Sequence, residues 1–477
     1  MKKILSAPPR KASWRVSAIP LLVLAVTFIL IIAIEGPLAV SDYSPYALLG
    51  SAVLAFVLSA HYRYISRRSL VCGLRRSATQ ILPAIPMLIC IAALATTWML
   101  SGVIPTLVEY GLLMLNPHWF LVTACAVCAM VSVITGSSWS TIATIGVAFL
   151  GIGTAMGYAP GWTAGAIISG AYFGDKVSPL SDTTVIASST CGVDLFTHIR
   201  YMMITTTPAM AIALLVFAAK GLMSDGAPIG GSIDMLGAIN STFNITPWVL
   251  LIPVLTLTLI ALKVPTITVL ATSAVLAGVG VFIFQPQLGM SVMDVVSSAF
   301  TGYTSTSGVE SVDRLISTGG IFGILPVVYL VTGALIFGWI MIGSGMLASV
   351  AEVITRKLQH RVSIIAATLA TGFTMNATTA DQYLSIIISG NIYRNLFKRK
   401  RMEQRLLSRT LEDGVSVTSP IIPWSSCGVT QATVLGVPTI TYLPYCIFNY
   451  LTPIVSLVII STGFKIKQAV VSSQTSK

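Results

Sequence analysis

Two aspartates seven residues apart, Asp175 and Asp182, flank the stretch Lys176-Val177-Ser178-Pro179-Leu180-Ser181, and a third, Asp381, follows the polar stretch Asn376-Ala377-Thr378-Thr379. All three fall inside long apolar runs of a chain with only 16 acidic residues. An acidic side chain in such a run is expensive and by default marks an ion or proton pathway. Without a break, Asp175 and Asp182 would lie on one helix face. A buried carboxyl has a raised pKa, so one group can hold a small hard cation when ionised and a proton when neutral. Asp182 and Asp381 are the expected Na+ carboxylates, with Asp175 beside them. Ser178, Ser181, Thr183, Asn376, Thr378 and Ser419 offer hard oxygen atoms as ligands or supports. Lys176 is expected as a fixed counter-charge to Asp175 or Asp182, which would make one carboxylate structural. Glu412 and Asp413 either line an entrance or pair with Arg405 or Arg409.

Elements able to hold these groups must be membrane spans. The chain has 477 residues, 55% hydrophobic and 9% charged, and a mean hydropathy of +0.87. A soluble chain carries about 25% charged residues. Charge this scarce cannot cover a water-facing surface, whereas lipid removes the need. One membrane domain is therefore expected. The first half, 1–221, divides into spans at 16–39, 45–64 and 80–104, an interrupted segment at 118–157, a broken span at 161–197 and a span at 201–220. An outer loop covers 222–245. The second half, 246–477, has spans at 246–262, 264–284 and 320–343, an interrupted segment at 362–396, a broken span at 410–435 and a span at 439–461. A turn at Lys263 and Pro265 joins the first two of these. An outer loop is expected at 285–319 and a cytoplasmic surface helix at 344–358.

The basic residues set the sidedness. Lys2, Lys3, Arg10, Lys11 and Arg15 precede the first span, and a basic loop carries Arg63, Arg67, Arg68, Arg75 and Arg76. Both are expected inside, as are Lys465 and Lys467 at the C-terminus. No basic residue occurs between Arg76 and Lys176, so both ends of 118–157 face outward. That segment, interrupted at Thr135-Gly136-Ser137-Ser138, reads as a hairpin that dips in and returns. The segment 362–396 is flanked by basic residues on both sides, and reads as a hairpin entering from within, broken around Met375–Thr379. Each half then crosses five times, so the halves have opposite orientation. A sequence echo supports this: Thr135-Gly136 precedes Ser178-Pro179 by 43 residues, and Thr371-Gly372 precedes Ser419-Pro420 by 48, the basic loop at 397–409 absorbing the difference. The expected fold class is thus all-α integral membrane, an inverted-topology repeat with re-entrant helical hairpins and broken transmembrane helices. Free backbone groups at the breaks are tolerated where they line a cavity or bind an ion.

Other chemistries fit poorly. The net charge of +12 sits in clusters beside apolar spans, not along a nucleic-acid surface. Cys125 and Cys128 form a C-x-x-C with no second pair or nearby histidine, so they read as buried small side chains. The four histidines form no cluster. Gly151, Gly153 and Gly157 lack the spacing of a dinucleotide turn, and there is no Walker motif. No protease-like dyad is evident. An exchanger for a small cation and protons is the reading these residues support, and an enzyme is not expected. No cofactor is expected beyond transported Na+ and H+.

The stretch Gly174–Thr184 closely resembles the signature of the NhaC-type Na+/H+ antiporter family. Thr379-Ala380-Asp381-Gln382-Tyr383 resembles it too, as do Leu411-Glu412-Asp413, Thr418–Trp424 and Cys427-Gly428. Order and spacing are similar over about 20 to 460. The sequence departs from the family pattern at Gly414-Val415-Ser416 and Ser425-Ser426. The resemblance implies a bacterial plasma-membrane exchanger of Na+ for H+ in the wider ion-transporter superfamily. It also implies likeness to malate/lactate antiporters, so a small organic anion or amino acid is the alternative cargo. The bilayer, Na+ and H+ are the expected partners, with a homodimer allowed.

Overall fold

The structure is a computed structural model that describes residues 11–36, 39–224, 237, 239–262, 264–305, 313, 317–356 and 358–463. The protein is an all-α membrane protein. Among the described residues, seven helices are long and apolar enough to cross a membrane, and nine if each of two bent helix pairs counts as a span. The first helix, Trp14–Glu35, buries Leu24 and Phe28 but exposes Leu22, Val26, Ile29 and Ile34. Such an apolar face has no counterpart on a water-soluble surface and suits lipid. Most of the expected 222–245 loop, Lys263, Lys465 and Lys467 lie outside the described residues.

Several elements differ from expectation. The basic stretch after Arg63 is no loop: one helix runs from Arg67 to Leu100. Arg, Ala, Leu and Gln are good helix formers, so charge alone does not interrupt a helix. The connection expected at 102–117 is mostly a second helix, Val103–Met114, bent by 66° from Ile85–Leu100. The outer loop at 285–319 contains the helix Val292–Thr301, opened by a reciprocal capping box between Ser291 and Asp294. That Ser-x-x-Asp pattern before an apolar run was readable in the sequence.

Two matched units, 117–192 and 361–436, each join a pair of helices, the expected hairpin, to a broken span; both arms of the first pair, Pro117–Thr135 and Ser138–Ala155, are long and apolar enough to cross a membrane. The first hairpin is Phe120–Thr135 and Ser138–Ala155, followed by a broken span, Pro160–Val177 and Asp182–Cys191. The second hairpin is Arg361–Thr379 and Gln382–Arg399. Its broken span is Gln404–Leu411, a wide π-type turn Glu412–Ser416, a short 3-10 turn Ser419–Ile421 and, after the break, Ser426–Leu435. A constant offset of 244 residues relates them, from Gly136 and Ala380 at the hairpin tips to Gly192 and Gly436 at the final caps, all in left-handed conformation. Thr135 and Thr379 make the same bonds: each accepts the amide two residues ahead at 3.3 Å, and each meets the hydroxyl six residues ahead, Thr141 at 3.3 Å and Ser385 at 2.8 Å.

This register corrects the expected echo. Gly136 corresponds to Ala380, not Gly372, and Ser178-Pro179 corresponds to Ile422-Pro423. No loop absorbs a difference, because there is none. The second tip also falls at Ala380-Asp381, later than the expected break around Met375–Thr379, which is helical. Ala380 adopts φ 54° without a glycine to announce it. Packing repeats too. A Cβ on Gly170 would strike the Cys125 backbone, and one on Gly414 meets Leu369, the equivalent pair. Small residues there let each hairpin arm lie directly on its broken span.

Candidate functional site

Each break rests against the hairpin tip of its own unit. In the first, Pro179 has no amide to continue the helix. The Ser178 hydroxyl donates to the Val133 carbonyl at 2.8 Å and accepts the Leu180 amide at 3.2 Å. In the second, the Ser425 hydroxyl donates to the Ser419 carbonyl at 2.6 Å and accepts the Gly428 amide at 2.9 Å. The Ser426 amide donates to the Ala380 carbonyl at 2.8 Å, and the Trp424 indole donates to the Ala377 carbonyl at 2.6 Å. Side chains and neighbouring backbone thus satisfy groups the broken helices free.

The four pieces, with Met87, Pro265, Thr266, Ile267, Val331 and Leu335 of neighbouring helices, line an open cavity of about 770 Å³. Thr135, Gly136, Ser137 and Trp139 line it from the first tip, and Asp175, Leu180, Asp182 and Thr183 from the first break. The second tip contributes Ala380, Asp381, Gln382 and Tyr383, and the second break Ser426. Asp175 is buried, and one of its oxygens accepts the Ser138 hydroxyl at 2.7 Å and amide at 3.2 Å. Asp182 is exposed to the cavity at the first residue of its helix, where the positive end of the helix dipole favours a carboxylate. Asp381 caps the second hairpin arm by accepting the Leu384 amide at 2.7 Å. All three carboxylates act electrostatically on the Tyr383 hydroxyl. They share a cavity without forming a closed cage: among the described residues no three His, Cys, Asp or Glu side chains converge as for a bound metal.

The other expected residues divide. Thr183 lines the cavity, and its hydroxyl lies 3.0 Å from that of Ser181. Ser178 and Asn376 serve as braces, since the Asn376 amide donates to the Val415 carbonyl at 3.0 Å. Ser419 donates to Asn376 at 3.5 Å, and Thr378 bonds back to Thr374 of its own helix at 2.6 Å. Lys176 pairs with neither Asp175 nor Asp182. Its side chain runs the other way, into a buried ion pair with Asp413 of the second unit. The Thr205 hydroxyl joins the same Asp413 oxygen at 3.2 Å, and Arg409 lies 3.8 Å from the other oxygen while stacking over Tyr201 at 4.9 Å. Arg405 pairs with Glu403, not Glu412. His198, isolated in the sequence, is buried in this cluster against Ser408 at 2.8 Å. Trp139 and Ser426 gave no signal as cavity residues, and Gln382 and Tyr383 stood out only as part of the motif around Asp381, because tip-to-break packing brings them inward.

Acidic side chains brought together from a broken helix and the tip of the opposing helix pair, inside an apolar helical bundle, are the arrangement of a secondary transporter. The chain belongs to the Na+/H+ antiporter family, whose profile matches residues 4–189 and 170–464. It is 38% identical over 360 residues to the Na+/H+ antiporter NhaC of Alkalihalophilus pseudofirmus, covering 76% of this chain and 78% of that protein. It is 35% identical over 401 residues to the malate-2H+/Na+-lactate antiporter of Bacillus subtilis, covering 84% and 85%. Against the arginine/ornithine antiporter ArcD of Halobacterium salinarum it is 36% identical over 400 residues, covering 82% and 81%.

Proposed function

We propose that the protein exchanges Na+ for H+ across the bacterial plasma membrane, taking the cation into the cavity bounded by Asp175, Asp182 and Asp381. The carrying observation is that three carboxylates from both units line one otherwise largely apolar cavity beside the helix breaks. Since they do not close into a cage, Na+ keeps part of its hydration shell there. Ser181 and Thr183 support the first break, while Asn376, Thr378 and Ser419 stiffen the second. No cofactor takes part. Asp182→Asn removes the charge most open to the cavity. In everted vesicles, sodium-driven proton flux falls to the level of empty-vector membranes. Normal flux from a well-expressed Asp182→Asn protein would end this reading.

The two units have opposite orientation in this reading, with both termini cytoplasmic. The loop at Gly157 has no basic neighbour, while its equivalent at Arg401 follows Lys398, Arg399 and Lys400. The positive-inside bias puts them on opposite faces. Single cysteines at the two positions are expected to react with an impermeant thiol reagent from opposite sides, and same-side reaction removes the inverted arrangement.

A second reading has one observation in its favour. The cavity is far larger than a cation needs and admits a small carboxylate or amino acid. Malate, lactate, arginine and ornithine are the organic cargoes named for the relatives. Uptake of each labelled compound into proteoliposomes separates this reading from simple cation exchange.

A further inference from the structure

The cluster around Lys176 lies outside the cavity lining, and it contains one carboxyl that no other group uses. Glu412 is fully buried at the start of the π-type turn Glu412–Ser416. Neither of its oxygens meets hydrogen-bond geometry with a donor among the described residues. The Ser416 hydroxyl in the same turn is close enough to interact, as are the charges of Lys176, Asp175 and Asp413. Wide π-type turns inside helices are frequent at functional sites.

The surrounding charges are few and can be named. The Pro160–Val177 helix brings Lys176 and Asp175. The Leu195–Leu222 helix brings His198, held by Ser408, and Tyr201, under Arg409. The turn's own segment carries Arg409 and Asp413. The Asp182–Cys191 helix offers Asp182, which faces the cavity, and Cys191. From the second hairpin, Tyr393 is engaged with Thr371 and Ala367, and Arg394 lies against Gly192. The first residue of that hairpin is Arg361, and the last helix, Ile447–Thr462, adds Tyr450 but no charge.

Charge balance then makes Glu412 a two-state group. The Lys176 ammonium attracts an ionised Glu412, whereas the Asp175 and Asp413 carboxylates repel it. The neutral form avoids a buried carboxylate with no donor, a costly arrangement. Neither form is locked by a partner. A cation arriving near Asp175, adjacent in the chain to Lys176, adds positive charge and tips the balance towards ionised Glu412.

Building on the Na+/H+ exchange reading, we propose that Glu412 carries the exchanged proton. It does so apart from the cavity carboxylates, with the Lys176–Asp413 pair relaying between the two. Cation entry releases the proton from the Glu412 oxygen to water. Protonation of that oxygen expels the cation, and no other covalent bond changes. Proton and cation need not compete for one carboxylate.

The test uses the full-length protein in proteoliposomes. Sodium-driven proton flux and exchange of labelled Na+ for Na+ at equal pH are both measured. Glu412→Gln loses proton flux to the background of protein-free liposomes, yet still exchanges Na+ for Na+. Glu412→Asp restores proton flux with a displaced pH profile. Proton flux in Glu412→Gln at half the wild-type rate or more overturns the assignment. Wild-type protein without sodium-driven proton flux instead fails the exchange reading itself. Labelling of the wild type covers the case of a misfolded variant. Dicyclohexylcarbodiimide attacks protonated carboxyls in apolar surroundings, so Glu412 is modified in sodium-free protein and protected by added Na+. Failure to modify Glu412, or modification indifferent to Na+, overturns the proposal equally.

Discussion

Removing the Lys176 ammonium is the sharpest structural perturbation the site offers. Lys176 is 1% exposed and Asp413 0%, and their ion pair ties the first broken span to the second. Breaking a buried pair by removing one partner costs about 3–5 kcal/mol, because the other charge is left buried. Two groups remain on Asp413: the Thr205 hydroxyl at 3.2 Å and the more distant Arg409 at 3.8 Å. Lys176→Met therefore belongs at the lower end, about 3 kcal/mol. At roughly 2 °C per kcal/mol for a large chain, the melting temperature falls by about 6 °C. The assay is thermal unfolding of purified protein in detergent, followed by tryptophan fluorescence. Asp413→Asn added to Lys176→Met removes the orphaned carboxylate and recovers about half of the loss, since Arg409 still lacks its partner. A single variant melting within about 1 °C of wild type, or a double variant no better than the single, would refute the buried-pair argument.

At the first hairpin tip, Gly136 has φ 68°, and a Cβ there would stand 2.6 Å from the Leu180 Cβ. Gly136→Ala combines left-handed strain with a clash, together about 2–4 kcal/mol, and lowers the melting temperature accordingly. Ala380→Gly at the matching tip relieves the strain but adds chain entropy, so stability changes by less than about 1 kcal/mol. In the outer segment, the Ser291 amide and hydroxyl hold the Asp294 carboxyl below its ordinary value of 3.8. A depressed folded-state pKa means the capping box contributes fully above that value and fades as pH falls below it. Hydrogen exchange at the Asp294 amide is expected to show extra opening only in that acid window, and uniform opening from pH 7 downwards contradicts the capping role.

The broad architecture was legible because apolar run length and scarce charge admit few alternatives. The breaks at Ser178–Ser181 and near Ser419 were also legible, since Pro and clustered hydroxyls interrupt apolar runs visibly. The second tip was misplaced because Ala380 adopts a left-handed turn without glycine, held by the Thr379 hydroxyl and the Asp381 cap. With that tip misplaced, the true register between the units stayed hidden. The Arg67–Leu100 helix was missed because a basic stretch reads as a loop by charge, while its residues favour helix. The Lys176 partner lay beyond any local argument. Asp413 is 237 residues away, brought close only when the two broken spans pack together.

The cation site is tested most directly by equilibrium binding of labelled Na+ to the purified protein across a pH series. Binding is expected to be saturable, to weaken as pH falls, and to be lost in Asp182→Asn while the variant still elutes as a folded protein. Binding unchanged by pH, or retained at wild-type affinity in Asp182→Asn, contradicts a cation site in the cavity between the two breaks.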